Sequence, residues 1–332
     1  MTVLFKDLEA EDRNGTWLHR PDNLNATSIL YADDTILLCQ DTRALNKYLQ
    51  ELEIAAEKYG LRLNKSKCEL LVMGAPTAQV RFADGSRVPQ REIAKYLGIM
   101  LSKKAQIELE IDSRVTATAK TWRALGEFWK NSNCSTRLKI LVYETVIHSK
   151  LLYGLESAQL TAAQQRKLNT FQYKGLRQIL KISTTYIDRS HTNAFVLQRA
   201  RQAMIRIPPV APNAKKRKKL KSHRIHTLDV LYQKRKCKLL AAILRAPADD
   251  PIRFTTLRDL NATPFINSSR RVGRPRQIWV TETAELLYQS FLLEERARAE
   301  AAEAEVPNPL AEREAFGDQA SLLQHLQERV TM

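Results

Sequence analysis

Cysteine is sparse in this sequence, with four residues among 332. Cys39, Cys68, Cys134 and Cys237 stand far apart, and none belongs to a Cys-x2-Cys pair accompanied by a histidine cluster. This spacing excludes zinc fingers and zinc knuckles. We expect reduced, mostly buried thiols of an intracellular protein, in the nucleus or the cytoplasm.

Long apolar runs are also missing. No stretch approaches the roughly 20 apolar residues that a helix needs to span a bilayer. The first seven residues, Met1 to Asp7, lack the apolar run of a secretory signal peptide. We therefore expect neither a signal peptide nor a membrane partner.

Positive charge, by contrast, is in surplus. The chain has 53 lysines and arginines against 36 acidic residues, which gives a formal net charge of +17. Such a surplus favours a polyanionic partner, because each phosphate that a cation neutralises releases condensed counterions. The composition therefore points to nucleic acid, although a basic protein without such a partner has the same charge.

Much of this charge is concentrated between Arg199 and Lys238, where Asp229 is the only acid. Within this stretch a nearly unbroken basic run is predicted to contact phosphates without reading sequence. The alternative is a nuclear-localisation signal or a solvated segment. The predicted nucleic-acid-binding residues of this run are Lys215, Lys216, Arg217, Lys218 and Lys219.

A second basic motif, Gly273-Arg274-Pro275-Arg276, resembles the core of an AT-hook. In that motif the extended Gly-Arg-Pro segment lies in a narrow minor groove, and Arg274 and Arg276 are the expected contacts. Val272 stands where the motif usually has arginine. Among aromatic and imidazole side chains, helical spacing favours core positions for Trp122 and Trp129. Trp279 is a candidate for stacking on bases, and His191, His223 and His226 are interpreted as structural.

The first 102 residues have a mixed α+β pattern. Two β-branched and aromatic runs, residues 27–32 and 35–39, lie on either side of a bend at Asp33-Asp34. A helix is expected from the N-cap pair Asp41-Thr42 to Gly60. Three further β segments follow: a strand at residues 68–74, a hairpin at 80–88 with Asp84-Gly85 as its turn, and a strand or tight hairpin at 95–101.

After residue 103 the pattern becomes helical, with Thr161 as an expected N-cap. Proline then interrupts the chain, and a basic helix is expected to reach about Arg245. The tail is rich in alanine and glutamate and is expected to be helical but weakly packed. The predicted helices are 104–131, 135–154, 161–181 and 191–204, and the predicted segments are 1–102, 103–204, 205–222, 223–290 and 291–332.

The tetrapeptide Tyr31-Ala32-Asp33-Asp34 is the feature that points to chemistry. Nucleotidyl transfer uses two divalent ions, and hard cations prefer carboxylate oxygens. Adjacent aspartates at a strand-turn-strand bend can present carboxylates at the rim of a sheet, on a backbone that the strands hold fixed. The alternative is that Asp-Asp is an ordinary turn pair.

Several motifs in order resemble non-LTR (LINE-type) retrotransposon reverse transcriptases. The segment from Ile29 to Leu38 looks like the catalytic hairpin of that family. Gly60, Leu61, Asn64 and Lys67 fall in step with the segment that follows it. Lys95-Tyr96-Leu97-Gly98-Ile99 resembles the primer-grip hairpin. Two later segments, Leu151 to Ser157 and Leu176 to Leu180, resemble the helical region after the palm.

The resemblance implies roles for individual residues. Asp33 would be the stronger and Asp34 the weaker ligand of Mg²⁺ (or Mn²⁺), and both would be catalytic. Lys67 would protonate the pyrophosphate or steady the triphosphate charge. It is otherwise a solvated surface lysine, and Lys65 is the nearby competitor. Tyr31 would lie near the templating duplex, unless it is only a half-buried strand residue. Tyr96, Leu97 and Gly98 would form a tight loop against the primer, although Tyr96 and Leu97 also suit a core.

The resemblance also implies a fold and partners. We expect a partial palm, an antiparallel sheet of about four strands with one packed helix. A helical thumb-like bundle would follow, and then a basic, partly disordered arm. The partners would be an RNA template, a DNA primer, the RNA–DNA hybrid and deoxynucleoside triphosphates. The oligomeric state is not indicated.

The family's palm uses a third carboxylate, on an earlier strand, as the main metal ligand. Five acids precede Asp33, but none lies in an apolar strand of the expected kind; they are Asp7, Glu9, Glu11, Asp12 and Asp22. We therefore expect the chain to begin within the palm and to be inactive as a polymerase by itself. The first alternative is a non-catalytic nucleic-acid-binding remnant. The second is a basic helical interaction protein in which Asp33-Asp34 is only a turn.

Overall fold

The computed structural model describes most of the chain, and its contacts divide the protein into two compact units. Unit 1 comprises Met1–Gln106, Leu240–Arg276 and Val280–Met332, and unit 2 comprises Ile107–Leu239 and Gln277–Trp279. The five segments predicted from the sequence remain a prediction. The described residues are 2–11, 28–39, 41–73, 78–103, 107–205, 225–257, 279–301, 316 and 319–331.

Two helices form the first layer of unit 1, α1 (Thr2–Glu11) and α2 (Thr42–Lys58). The Asp41 carboxylate accepts hydrogen bonds from the backbone N–H groups of Arg43 and Ala44, at 3.2 and 3.0 Å. It thereby satisfies two donors that the first helical turn leaves unpaired. Gly60 follows the last turn with a φ of +68°. The predicted helix and both of its ends are confirmed.

The strands of unit 1 form three two-stranded ladders in the described residues, rather than the single sheet of about four strands that was expected. The predicted strand at 68–74 is reduced to two residues, and it pairs in parallel. Residues 95–101 belong to a tight antiparallel hairpin. The ladders are β1 (Ser28–Tyr31) with β2 (Asp34–Leu37), β3 (Leu70–Leu71) with β4 (Gln90–Arg91), and β5 (Ile93–Tyr96) with β6 (Ile99–Ser102).

One apolar core joins the helices of unit 1 to its first hairpin. The apolar face of α1 packs against the apolar face of α2, and Leu30 and Leu37 pack against this core from β1 and β2. The segment before the predicted turn at Asp84-Gly85 contributes Val80 and Phe82 to this core. Gly85 in that turn has a φ of +80°. The fully or nearly buried members are Leu4, Phe5, Leu8, Tyr48, Leu49, Leu52, Ala55, Val80 and Phe82.

Unit 2 is helical, and the four helices predicted between residues 104 and 204 are confirmed, two of them with breaks. Thr161 caps its helix as predicted, and the Gln164 side chain completes a capping box by accepting from the Thr161 N–H at 2.8 Å. The helices are α3 (Ile107–Ala124), α4 (Gly126–Asn131), α5 (Thr136–Val142), α6 (Ser149–Leu152), α7 (Ala162–Leu180), α8 (Asn193–Met204) and the first part of α9 (Leu228–Arg245).

Aromatic rings fill the centre of unit 2. Trp122 and Trp129 are stacked with ring centroids 4.5 Å apart, and the edge of Tyr143 meets Trp122 at 5.4 Å. Trp129 and Tyr143 are almost completely buried. The prediction that both tryptophans are core residues is confirmed.

A π-helical segment, Tyr143–His148, connects α5 to α6. In an α-helix, residues five apart point to different sides, whereas the wider π turn brings them into line. The rings of Tyr143 and His148 accordingly meet at 4.8 Å, and both side chains are buried. Neither ring nitrogen of His148 has a hydrogen-bond partner among the described residues.

Three helices complete the described residues of unit 1, and they correct one expectation. The tail is helical, as predicted, but its last helix is not weakly packed. Leu322, Leu323 and Leu326 are buried, because they lie on one face of that helix. In the described part of the chain, no helix is long and apolar enough to cross a bilayer. These helices are α10 (Pro251–Thr256), α11 (Trp279–Ala301) and α12 (Gln319–Thr331).

All four cysteines are free thiols, and each is half-buried rather than mostly buried as expected. The Cys39 and Cys68 thiols donate to the backbone oxygens of Asp41 and Asn64. Burial raises the pKa of Cys68 and of Cys237 above the ordinary thiol value. These two groups are therefore held as thiols rather than as thiolates.

Gly175 should not tolerate a larger side chain. A Cβ atom at this position would lie 2.5 Å from the Tyr143 hydroxyl and 2.7 Å from two ring carbons. We expect Gly175→Ala to lower the free energy of unfolding by about 1–3 kcal/mol, although alanine favours helix by about 1 kcal/mol. Urea titration followed by tryptophan fluorescence measures the change. Gly126→Ala, where nothing lies within 4 Å, is the control; an equal effect of both changes would contradict the steric explanation.

His148 should make stability depend on pH. Burial, and then the charge of Arg235, lower the pKa of His148 from 6.5 to about 3. Below pH 6.5 the unfolded chain binds a proton that the folded chain does not, so stability falls as the solution becomes more acidic. Between pH 7.5 and pH 5, His148 should lower the free energy of unfolding by about 2 kcal/mol. Urea unfolding of His148→Leu at both pH values should lack that loss, and an unchanged pH dependence would refute the assignment.

Candidate functional site

The first hairpin of unit 1 carries the two candidate metal ligands at its tip. β1 and β2 are joined by Ala32 and Asp33 alone, and Tyr31 pairs with Asp34 across the ladder. Asp33 therefore lies in the turn and Asp34 is the first residue of β2. The predicted bend at Asp33-Asp34 is displaced by one residue, because the turn requires a positive φ and Ala32 adopts it, at +54°.

This turn stores backbone strain. Alanine in the left-handed region costs roughly 1 kcal/mol, because its Cβ approaches the following carbonyl. Such a conformation persists only where the surrounding structure determines it. Here the determinants are the four paired residues of each strand and the packing of the half-buried Leu30 and Leu37 below them. The tip at Asp33 is therefore held in one position.

The two faces of the hairpin differ in exposure. Leu30 and Leu37 point towards the core of unit 1, whereas the paired residues Tyr31 and Asp34 share the opposite face. Tyr31 is 62% exposed, so it is not the half-buried strand residue that was the alternative. Asp33 and Asp34 are both exposed. The carboxylates thus stand at an open rim beside an accessible aromatic ring.

The second hairpin, β5 with β6, is also joined by two residues. Leu97 and Gly98 have φ values of +46° and +80°, the pattern of a tight turn that matches the strand twist. Glycine suits the second position, and its lack of a side chain permits close approach of another backbone. Leucine at the first position repeats the strain seen at Ala32.

Tyr96 brings the two hairpins into electrostatic contact. Its hydroxyl oxygen is buried and has no hydrogen-bond partner among the described residues. Burial raises the pKa of Tyr96, and the negative charge of Asp34 raises it further. The charge of Asp34 therefore acts on the Tyr96 phenol, which links the predicted metal ligand electrostatically to the predicted primer-contacting hairpin.

The short 3₁₀ helix Lys65–Lys67 separates the two candidate lysines. The Lys65 ammonium lies 2.9 Å from an Asp84 oxygen and 3.2 Å from a Glu53 oxygen, and 5.1 Å from the centroid of the Phe82 ring. Hydrogen bonds from Ser86 and from Lys65 hold the pKa of Asp84 well below its ordinary value. Lys65 is thus engaged within unit 1.

Lys67, by contrast, is exposed, and no acidic partner within the described residues lies at salt-bridge distance from it. Of the two lysines, Lys67 is therefore the one available to a ligand.

The acids of the site supply part of a metal-binding set. Among the residues that the structure describes, no group of three or more His, Cys, Asp or Glu side chains is placed to hold a metal ion. One of the five upstream acids, Asp7, accepts a hydrogen bond from the Tyr59 hydroxyl. Asp33 and Asp34 therefore offer two carboxylates, the oxygen chemistry that suits Mg²⁺, and the described residues place no third acid, histidine or cysteine with them.

Comparison with known proteins finds similarity to reverse transcriptases. A sequence model of the reverse transcriptase (RNA-dependent DNA polymerase) family matches residues 1–101. The RNA-directed DNA polymerase from the mobile element jockey of Drosophila melanogaster is 27% identical over 159 residues, 45% of this chain and 17% of that protein. A transposon-derived protein of Caenorhabditis elegans is 25% identical over 172 residues, 50% of this chain and 61% of that protein. No solved structure matches.

Residues 1–101 match the reverse transcriptase family, and both relatives support the predicted resemblance to the non-LTR retrotransposon type. The chain spans less than two thirds of the length of both curated relatives. The match ends at the strand β6, so it includes both hairpins and the 3₁₀ helix with Lys67. The match disfavours the interpretation of the chain as a basic helical interaction protein in which Asp33-Asp34 is only a turn. The prediction of an α+β class is confirmed at that level.

Several predicted nucleic-acid contacts of the chain lie outside the described residues. These are Lys215, Lys216, Arg217, Lys218, Lys219, Arg274 and Arg276, and His223 lies there too. Their roles therefore stay predictions.

Two other candidate nucleic-acid contacts, Lys236 and Trp279, have structural roles in the described part of the chain. The buried Lys236 ammonium donates to Gln159 at 2.8 Å, so Lys236 is removed from the basic surface. The Trp279 indole N–H donates to the Glu156 carbonyl at 2.8 Å, and the Lys236 ammonium lies 5.8 Å from the centroid of its ring. Packing thus accounts for Trp279 without a base.

Two features of residues 1–101 were missed from the sequence. One is the ion-pair network in which Lys65 is shared by Glu53 and Asp84. The other is the effect of the Asp34 charge on Tyr96. Both join residues far apart along the chain, and no local pattern signals them. The spacing of Glu53 and Lys65, on either side of a capped helix end, is the only hint the sequence offers.

The two lysines of the 3₁₀ helix should differ in their effect on stability. Lys65→Met is expected to lower the melting temperature, because it leaves Asp84 and Glu53 without their shared cation. Lys67→Met, the matched control, is expected to leave the melting temperature unchanged. Thermal unfolding followed by circular dichroism measures both. If the order were reversed, Lys65 and not Lys67 would be the lysine left for a ligand.

Proposed function

We propose that this chain supplies the metal-binding and primer-contacting part of an RNA-directed DNA polymerase of a retrotransposon. The observation that carries the proposal is the exposed pair Asp33 and Asp34, held at a strained hairpin tip beside Tyr31, with the charge of Asp34 acting on Tyr96. In this proposal unit 1 residues before 103 are a partial palm, and residues 103–204 are a thumb-like helical segment.

Asp33 and Asp34 would hold Mg²⁺ or Mn²⁺ through carboxylate oxygens, with Asp33 as the stronger ligand. Bound there, the ion would activate the primer 3′-hydroxyl and neutralise charge on the triphosphate. The chain's own groups would position the substrates. Tyr31 would lie against the duplex, and the Leu97-Gly98 turn would approach the primer backbone.

Lys67 is proposed to act on the leaving side of the reaction. Its ammonium is exposed and carries a full positive charge that no described acid neutralises. Such a group would offset the charge that develops on the pyrophosphate, or would donate a proton to it. Lys65 is unsuited to this role, because two carboxylates already share it.

The partners would be an RNA template, a DNA primer, the hybrid they form and deoxynucleoside triphosphates. A non-catalytic nucleic-acid-binding protein is the second candidate function. The observation that favours it is the pair of carboxylates without a third ligand among the described residues. Under either function the surplus of positive charge would contact phosphates.

Two carboxylates should bind a divalent ion only weakly, and we expect the purified chain alone to give no primer extension. In the presence of an RNA–DNA hybrid, electron paramagnetic resonance should still detect weak Mn²⁺ binding. Asp33→Asn should abolish it and Asp34→Asn should weaken it, because each removes an anionic oxygen. Asp249→Asn, which changes an exposed acid outside the hairpin, should leave it unchanged.

Hybrid binding is the second readout of the same experiment. Affinity should fall steeply with salt, with a slope that indicates several phosphate contacts. Robust extension by the chain alone would overturn the expectation of inactivity. Hybrid binding without any Mn²⁺ signal that depends on Asp33 would select the non-catalytic function. Absence of hybrid binding at low salt would refute both functions.

A further inference from the structure

The segment between α7 and α8 in unit 2 exposes two large side chains. Tyr186 is 97% exposed and Ile187 is 76% exposed. The backbone around them is ordered by turns, since the N–H groups of Ile187 and Asp188 both donate to the Thr184 carbonyl, at 3.0 and 3.1 Å. The exposure is therefore a property of a structured loop.

Arg177 fixes the two ends of this loop. Its guanidinium donates to the carbonyls of Ser183 and His191, at 2.7 and 2.8 Å, and to the Asn193 side chain at 3.1 Å. The His191 ring is 2.8 Å from the Ser183 hydroxyl and stacks on Phe195. His191 is structural, as predicted. Because these hydrogen bonds already order the loop, a ligand that binds Tyr186 would lose little further conformational entropy in the protein.

Four exposed cations without an acidic partner among the described residues lie along α7 and in the loop that follows it. Arg166 and Lys174 are exposed on one face of α7, about 12 Å apart along the helix, and Lys181 and Arg189 are exposed in the loop. No acid of the described residues lies within salt-bridge distance of these four. The nearby Asp188 is already engaged, since it accepts from the Ser190 N–H and hydroxyl and faces His191 at 3.4 Å.

Lys181 adds an independent observation. It ends α7 in the left-handed conformation, with a φ of +55°. Glycine is the residue that adopts this conformation without strain, and helices commonly end on it. Lys181 is thus strained and exposed, and no described acid lies within salt-bridge distance of it. Its charge is available to a ligand.

We infer that Arg166, Lys174, Lys181, Tyr186 and Arg189 form a binding track for single-stranded nucleic acid. The four cations would contact successive phosphates, and the Tyr186 ring would stack on a base. Charge complementarity selects this occupant, because a row of exposed cations without acidic partners suits the successive phosphates of a strand. The inference rests on the proposed function and adds to it a site for an unpaired strand.

The test measures binding of the whole chain to a labelled, unstructured oligonucleotide by fluorescence anisotropy, with RNA and DNA in separate arms. Tyr186→Phe keeps a ring and should bind as the unchanged chain does. Tyr186→Leu keeps the apolar surface without the ring and should bind roughly tenfold more weakly. A base analogue whose fluorescence is quenched by stacking should lose that quenching in Tyr186→Leu.

Lys181→Gly separates a binding role from a structural one. It relieves the left-handed strain, so its melting temperature should rise, while its affinity for the oligonucleotide should fall. Its salt slope should decrease by about 0.7, the value for one phosphate contact on a single strand. The control is Lys6→Gln, which changes an exposed lysine on α1 in the other unit. It should change neither the affinity for the oligonucleotide nor the salt slope.

The outcomes are distinct. If the chain binds the hybrid but its affinity for single strands is the same in Tyr186→Leu, the track is refuted and the proposed function stands. If the chain binds neither nucleic acid, both are refuted. If Tyr186 variants alter only self-association in sedimentation, the occupant is a second copy of the chain and the inference is wrong. A preference for RNA or for DNA would identify which strand the track receives.

Discussion

Packing of the half-buried Leu30 and Leu37 against the core beneath the first hairpin is the interaction on which the candidate site depends. Side chains alternate along a strand, so a slip of one residue in either strand would place these leucines in solvent and the charged residues in the core. Their packing fixes the register, and the register assigns Asp33 to the turn and Asp34 to the face of Tyr31. The strain at Ala32 is sustained by that apolar packing.

Much of unit 1 and unit 2 could be predicted from the sequence where the signal is local. The capped helix after Asp41, the capping box at Thr161 and the core tryptophans follow from spacing and residue type within a few turns. The arrangement of strands into three ladders could not be predicted, because pairing joins distant residues. The turn between β1 and β2 was predicted one residue too late, because alanine rarely adopts a positive φ and the sequence therefore does not indicate one at Ala32.

The site was predictable as a set of residues and less so as an arrangement. The motif placed Asp33 and Asp34 at a bend, but it did not show that the pKa of Tyr96 would respond to Asp34. It also left Lys65 and Lys67 equivalent. Ion pairing occupies Lys65 and leaves Lys67 exposed. Burial and ion pairing in the same way remove other basic residues from the surface. The Lys139 ammonium, for example, is buried and donates to the Trp129 carbonyl at 3.0 Å, so net charge overstates the surface available to phosphate.

The π segment holds one residue more than an α-helix would need to cover the same turns. Loss of a single residue between 143 and 148 would therefore restore an α-helical turn and leave the helix after it in its present phase. Leu151 and Leu152 would stay buried, but Tyr143 and His148 would no longer meet. The extra residue thus serves the contact of these two rings and not the path of the helix.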